Sequence, residues 1–332
     1  MENLTPAHLT PAQQRVLVDL MASGRPRPRF QPTLADELRS DLESALGPLN
    51  GVSSDQPMWV SKGTLADVHT CEAYSQARGD WPGWTARTAR GTVVHRALET
   101  MVGSREELAP LEVVDHAIAR LATDDTRSSL APWLAEASPL DLADLRAGAN
   151  EVVAKFVECW PPLKAAWRPR TEVSLRQELG GGRVVLSGKV DLVLGLARGD
   201  EARSLIVDLK TGPPYPSHLD DLRFYALLQT LRVGVPPFRV ASYYLDSATF
   251  HAEDVTTATL AIAVHRTVDG IGKLAELAGG RPPGITPCPA CRWCRLAASC
   301  DGPRQWREAC GGSDEEEEEE EDRGGGDADA DG

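Results

Sequence analysis

The chain has 332 residues, 42% of them hydrophobic and 25% charged, which suits one large soluble domain or two smaller ones with a sizeable buried core. There is no apolar run of about 18 residues, and the start, Met1-Glu2-Asn3-Leu4, lacks a basic stretch followed by an apolar one, so neither a membrane span nor a secretory signal is expected and the expected compartment is the cytoplasm. The net charge of −14 is concentrated at one end: Asp314–Gly332 holds twelve acidic residues and one arginine, leaving only −3 on the rest, so a nucleic-acid partner is not excluded.

Residues 1–56 read as an N-terminal helical segment, with amphipathic helices near Pro11–Ala22 and Leu34–Leu46. The Gly24-Arg25-Pro26-Arg27-Pro28-Arg29 stretch between them reads as a solvated linker, with a phosphate contact as the alternative. After Val60-Ser61-Lys62-Gly63-Thr64-Leu65 comes a short helix carrying Cys71, then a Trp/Gly-rich turn at Gly79–Trp84. The next helix, Ala89 to about Val102, puts Val94, Leu98 and Met101 on one stripe and makes His95 and Glu99 neighbours at i, i+4. A helical region of about 103–168 follows, punctuated by Pro132, Pro139 and Pro161-Pro162.

Three strand-like segments succeed it, Thr171–Leu179, Arg183–Leu194 and Arg203–Lys210, the first two joined by a Gly180-Gly181-Gly182 hairpin turn. Side chains on a strand alternate between faces. Leu205, Val207 and Leu209 therefore share an apolar face, while Ile206, Asp208 and Lys210 share the other. Upstream, Asp191 stands opposite the apolar face of its own strand, and level pairing would bring Asp191 and Asp208 together. Two carboxylates beside a lysine can hold a hard divalent cation and stabilise a charged phosphoryl transition state. A helix from Ser217 to Arg232, strands at Arg239–Leu245 and Thr249–Ala252, and a helix Thr256–Leu277 complete the order. This predicts an α/β fold, a mixed sheet with helices on both faces.

Cys288, Cys291, Cys294 and Cys300 crowd into thirteen residues, while Cys71, Cys159 and Cys310 are scattered. In a cytosolic chain such crowding points to a metal or iron–sulfur centre rather than disulfides. The chain ends in a Glu315–Glu321 run and a Gly/Asp stretch, so 306–332 reads as a disordered acidic tail, either a solubility device or a polyanion that competes for a basic groove.

Gly91-x3-His95, Gly188-Lys189-Val190-Asp191, Asp208-Leu209-Lys210 and a following helix with Tyr225 together resemble the PD-(D/E)XK nuclease superfamily over roughly residues 60–300. More narrowly, the set is similar to the RecB-type and CRISPR-associated exonucleases. The resemblance implies a restriction-endonuclease-like nuclease domain at 57–305, with the helical region as an insertion. It implies that Asp191 and Asp208 bind Mg²⁺ or Mn²⁺, aided by His95 and the Leu209 carbonyl. Lys210 would orient or deprotonate the attacking water, or stabilise the phosphate, and Tyr225 would contact DNA. Glu172 is a further candidate for a metal or a supporting role, and Glu99 for support of His95. Where the family often has glutamine four residues before the tyrosine, this chain has Asp221.

One cysteine before the nuclease core and C-x2-C-x5-C after it mark the iron–sulfur branch of that family. Here these are Cys71, Cys291, Cys294 and Cys300, implying a [4Fe–4S] cluster that clasps early and late segments together. Cys288 is a fifth candidate, and a local Cys₄ zinc knuckle is the alternative. The implied function is metal-dependent exonucleolytic hydrolysis of DNA in repair or recombination. A catalytically silent DNA-end-binding module and a zinc-knuckle interaction protein are the other readings. With no Gly-rich Lys-Ser/Thr phosphate loop, unwinding would fall to a helicase or recombination partner.

Overall fold

Strand β3 (Val184–Leu194) is the axis of the computed structural model, which describes residues 9–47, 49, 52–77, 83–104, 108–123 and 130–309. The Glu/Asp-rich tail, Cys310 and most of the Gly79–Trp84 turn lie outside the described residues. Along one edge, β3 pairs antiparallel with β2 (Arg170–Leu179) through the predicted triple-glycine hairpin. Its other edge is shared by two strands. β1 (Met58–Val60) pairs parallel with residues 184–186, and β4 (Leu205–Lys210) pairs antiparallel with residues 192–194. Residues 187–191 pair with neither, so the sheet is open there. β5 (Arg239–Tyr244) adds parallel to β4, and β6 (Thr249–Asp254) closes the far side antiparallel to β5.

The helices, in chain order, are α1 (Pro11–Arg15), α2 (Leu34–Ala45), α3 (Lys62–Thr70), α4 (Glu72–Gln76), α5 (Ala86–Gly103), α6 (Pro110–Thr123), α7 (Leu130–Glu136), α8 (Pro139–Cys159), α9 (Ser217–Val233), α10 (Thr257–Ala278) and α11 (Gly302–Ala309). Several starts are written in the sequence. Ser138 caps α8, accepting from the Asp141 amide with Pro139 at the first helical position, and Thr85 and Thr256 close capping boxes at α5 and α10.

The period-two expectation holds in β4. Leu205, Val207 and Leu209 pack with α5, α6 and α8 in one core, while Ile206 packs with α2, α9 and α10 in the other. The result is a mixed six-stranded sheet between two helical layers. α9 supplies the crossover that parallel β4 and β5 require.

The N-terminal segment packs into both cores, Val16 and Leu20 into one and Leu34, Leu38 and Leu42 into the other. One expectation about it is corrected: its arginine-rich stretch is not simply solvated. Arg27 donates to the carbonyls of Met21 (2.8 Å) and Ala22 (3.1 Å) and lies over the Phe238 ring at 3.8 Å. Arg29 pairs with Asp200 at 3.3 Å. Backbone carbonyls left at the end of the first helical segment need donors, and a guanidinium reaching over an aromatic face supplies them. The helical region after α5 forms one wall of a core, through Val113, Val114, Leu145, Val152 and Phe156. Among the described residues no helix is long and apolar enough to cross a membrane.

Candidate active site and cysteine recess

The site forms at the opening beside β3, where both helical layers reach the sheet. Asp191 lies next to the last paired residues of β3, and β4 diverges there. Instead of continuing the ladder, the Leu209 amide donates to Asp191 Oδ2 at 2.6 Å. That bond ties one candidate metal carboxylate to the backbone between Asp208 and Lys210. From the α5 side, His95 Nδ1 comes within 3.4 Å of Asp191 Oδ1. Asp208 is only 1% exposed, and Lys210 Nζ stands 3.0 Å from its Oδ2. A second lysine, Lys62 at the start of α3, stands 3.5 Å from Oδ1.

Among the described residues, His95, Glu172 and Asp191 form the one group of three or more His, Cys, Asp or Glu side chains whose ligand atoms all lie within 4.8 Å of one another. Asp208 falls outside that trio and is joined to it through Leu209. The two aspartates are thus linked through the Leu209 amide and do not sit in one cluster of carboxylates. Glu172 is drawn in by register, since Thr171↔Leu192 and Val173↔Val190 bracket it opposite Asp191. Its φ of +51° lies in the left-handed region, which costs a non-glycine residue on the order of 1 kcal/mol. Lys189 pairs with it at 2.6 Å, and burial pushes its carboxyl above the ordinary range against that pull. Carboxylate oxygens with one imidazole are the donor set a hard divalent cation takes, so these residues fit Mg²⁺ or Mn²⁺.

Two expectations change. Tyr225 is 1% exposed, and its hydroxyl donates to the Lys189 carbonyl at 2.8 Å, so it braces β3 from inside and does not face DNA. The reason lies at Gly188, where a Cβ would sit 2.8 Å from Tyr225 Cε1, so the absent side chain lets the ring lie on the strand. Glu99 turns to Arg96 at 2.7 Å and is that residue's ion partner. The glycine before His95 has a similar packing role: a Cβ at Gly91 would meet Thr211 Oγ1 at 3.0 Å, so α5 can approach the loop after Lys210. Lys62 was missed, and nothing local could have revealed it, because its partner lies 146 residues away. Glu172's place could have been counted from the hairpin turn.

Cys71, Cys288, Cys291, Cys294 and Cys300 all line one recess, with Tyr74, Ile285 and Leu296 among its walls. Backbone amides donate to four of the sulfurs: Thr286 to Cys71 (3.4 Å), Cys288 to Cys291 (3.5 Å), Gly302 to Cys300 (3.3 Å) and Cys291 to Cys288. Burial, then the neighbouring Cys291, pushes the Cys288 thiol up to about 11. Among the described residues no three thiols meet within 4.8 Å. A tetrahedral zinc site with Zn–S of about 2.3 Å sets its thiolates about 3.8 Å apart.

Beside the recess, Arg281 grips Glu72 with two bonds of 2.8 and 2.9 Å, and the Gly284 amide donates to Glu72 Oε2 at 2.7 Å. These bonds, Arg281 first and then the amide, hold the Glu72 carboxyl down at about 2, against an ordinary 4.5. A depressed carboxylate stabilises the fold above its unfolded value and ceases to do so as pH falls through the folded one. The stability gap between wild type and Glu72→Gln, read from urea unfolding, is therefore expected to be full above pH 4.5 and to close as pH falls toward 2. A gap that stays constant from pH 6 to pH 2.5 would remove Glu72 from this role.

Compared with known proteins, residues 73–301 match the PD-(D/E)XK nuclease superfamily, and the chain belongs to it. Nucleases of this superfamily use a divalent metal. Several solved structures are similar, these two among them. One is a protein of Eubacterium rectale named "Putative exonuclease", with 16% identity and a TM-score of 0.46, covering 75% of this chain and 92% of that one. The other, SSO0001, has 16% identity and a TM-score of 0.28, covering 63% of this chain and 93% of that one. No curated protein matches the chain.

Proposed function

We propose that the chain is a metal-dependent DNA exonuclease that hydrolyses phosphodiester bonds at DNA ends, in repair or recombination. The observation that carries this reading is the link of Asp191 to the Leu209 amide, with Asp208 and Lys210 flanking that amide on β4. Asp191, Asp208 and His95 would hold Mg²⁺ or Mn²⁺, with Glu172 beside them and the Leu209 carbonyl completing the set. When bound, the metal lowers the pKa of a water and neutralises charge on the scissile phosphate. Lys210, kept beside Asp208, orients that water and receives the phosphate's developing charge. Glu172 anchors Lys189, and Tyr225 holds the backbone of the same strand.

We further propose that the cysteine recess takes a [4Fe–4S] cluster on Cys71, Cys291, Cys294 and Cys300. Amide-to-sulfur bonds at Cys71, Cys288, Cys291 and Cys300 favour thiolate ligands, and the C-x2-C-x5-C spacing of Cys291, Cys294 and Cys300 leaves Cys288 the spare. The cluster and the Glu72–Arg281 pair then serve one purpose, tying α4 to the last loop.

The test uses anaerobically purified full-length protein on end-labelled single- and double-stranded DNA, with Mg²⁺, Mn²⁺ or chelator, and closed circular DNA alongside. Metal-dependent shortening from ends with circles spared is expected, together with absorbance at about 400 nm. No cleavage with either metal would overturn the nuclease reading. A colourless, iron-free protein would overturn the cluster alone.

A further inference from the structure

Lys210 is followed by Thr211-Gly212-Pro213-Pro214-Tyr215-Pro216, the loop that leads into α9. Prolines stand on both sides of Tyr215. Pro214 has a fixed φ, and a residue that precedes a proline is pressed into an extended conformation, so the loop has little freedom around this ring. The Tyr215 amide donates to Nδ1 of His218 at 3.4 Å, and the Tyr244 hydroxyl lies 3.1 Å from the same nitrogen. An amide can only donate, so Nδ1 accepts, and the ring proton belongs on Nε2. One imidazole nitrogen thus fastens the loop after Lys210 to β5.

The rings involved form a row. Tyr215 and His218 lie 5.4 Å apart at 86°, His218 and Tyr244 5.8 Å at 30°, and Tyr244 and His251 5.5 Å at 74°. Tyr244 is the buried member, 1% exposed, and it pairs in register with Lys210 across β4 and β5. Neighbouring strands are about 4.8 Å apart, so the row starts one strand away from the lysine of the candidate site. The Leu245 amide, next to Tyr244, donates to the Lys210 carbonyl at 2.8 Å. Tyr215 and His218 are half-buried, and His251 is exposed. Rings at right angles do not stack face on face, so His218 does not cover both faces of Tyr215.

We propose that Tyr215, held by His218, seats an unpaired base of the DNA strand beside the phosphate at Lys210, and that this seat makes a single-stranded end the preferred substrate. The inference rests on the nuclease reading above. Every base has a face that stacks on an aromatic ring, and single strands are held without regard to sequence by such rings next to cationic groups. A base inside a duplex is stacked on its neighbours and hydrogen-bonded to its partner, and must be freed before it can reach the ring. A ring already fixed by two prolines and His218 gives up little freedom when a base settles on it. Tyr244 braces the row from beneath.

Binding of full-length protein to labelled oligonucleotides in chelator, read by fluorescence anisotropy, tests the seat without reference to cleavage. Tyr215→Ala is expected to weaken binding of a single strand about tenfold and of a blunt duplex less than about twofold. Tyr215→Phe keeps the ring and is expected to bind within about twofold of wild type. His218→Ala releases the Tyr215 amide and is expected to weaken single-strand binding about threefold. A single abasic site, moved one nucleotide at a time from the end, is expected to weaken wild-type binding about tenfold at one position and to leave Tyr215→Ala indifferent there.

Single-strand binding by Tyr215→Ala at the wild-type level overturns the seat. Equal weakening on both substrates does so too, as does an abasic scan that is flat in the wild type. Should Tyr215→Ala not fold, Tyr215→Leu takes its place with the same expected results. Wild-type cleavage with Mg²⁺ or Mn²⁺ is measured alongside. Cleavage with a flat scan removes the seat and leaves the nuclease reading standing. Tyr215-dependent single-strand binding with no cleavage removes the nuclease reading and leaves the seat.

Discussion

Asp208→Asn is expected to slow DNA cleavage at least about 10³-fold, equivalent to roughly 4 kcal/mol of transition-state stabilisation, because it removes a proposed metal ligand and the anchor of Lys210 together. The substitution is nearly isosteric, so the packing of β4 between its two cores is retained. The fold still bears a cost. With a neutral amide at 208, the ammonium groups of Lys62 and Lys210 face each other across a buried position, each having lost an ion partner. Both lysines are partly exposed and can turn to water, which holds the loss to about 2 kcal/mol. Single-turnover cleavage at saturating metal, with thermal unfolding of the same preparation, separates the two effects. Cleavage within tenfold of wild type in a folded variant would remove Asp208 from the chemistry.

Gly188→Ala is expected to act chiefly on stability. The new methyl would lie 2.8 Å from Tyr225 Cε1 and 3.3 Å from Leu228 Cδ1. Neither neighbour has an easy retreat, because Tyr225 is held by its bond to Lys189 and both belong to the tightly packed α9 face. Overpacking of this kind costs about 1–3 kcal/mol, which lowers the unfolding midpoint by roughly 2–5 °C in a domain of this size. Because β3 carries Asp191 only three residues on, cleavage should fall as well. Tyr225→Leu makes room, so it should cost less in the Gly188→Ala background than in wild type. Equal costs in the two backgrounds would mean that the clash is absorbed elsewhere.

How much of this was legible in the sequence differs from residue to residue. The faces of β4 followed from alternation alone, and the Asp208/Lys210 pair followed with them. Asp191 was placed by the same rule, but the divergence of β3 and β4 was not visible, because it arises from β1 and β4 sharing one edge of β3. Glu172 was open to counting. Pairing 179 with 184 across the glycine turn fixes 172 opposite 191, yet a lone glutamate on a strand carries no marker of its own. Tyr225 misled for a physical reason: a hydroxyl-bearing ring on a helix suits DNA contact and internal bracing equally, and the clue to bracing sits at Gly188, far off in sequence. Arg27 looked solvated because its partners are main-chain carbonyls, which no sequence pattern displays. The cysteine spacing pointed to one place, and Cys71 lines one recess with Cys288, Cys291, Cys294 and Cys300, but among the described residues no three thiols meet within 4.8 Å.

The contacts that complete this protein join early segments of the chain to late ones. Lys62 reaches Asp208 across 146 positions, and Glu72 reaches Arg281 across 209. A chain still emerging from the ribosome can form α5, α6 and α8 early, since their contacts are local. The strand that carries Asp208 and Lys210 follows late, and the clasp on α4 later still. Pairings of such sequence separation are slow to form, and the unpaired strands stay exposed while they wait. The same arrangement makes completeness a condition of competence. A polypeptide interrupted before Asp208 lacks the carboxylate–lysine grouping beside β3, and one interrupted before Arg281 has that grouping without the Glu72 contact.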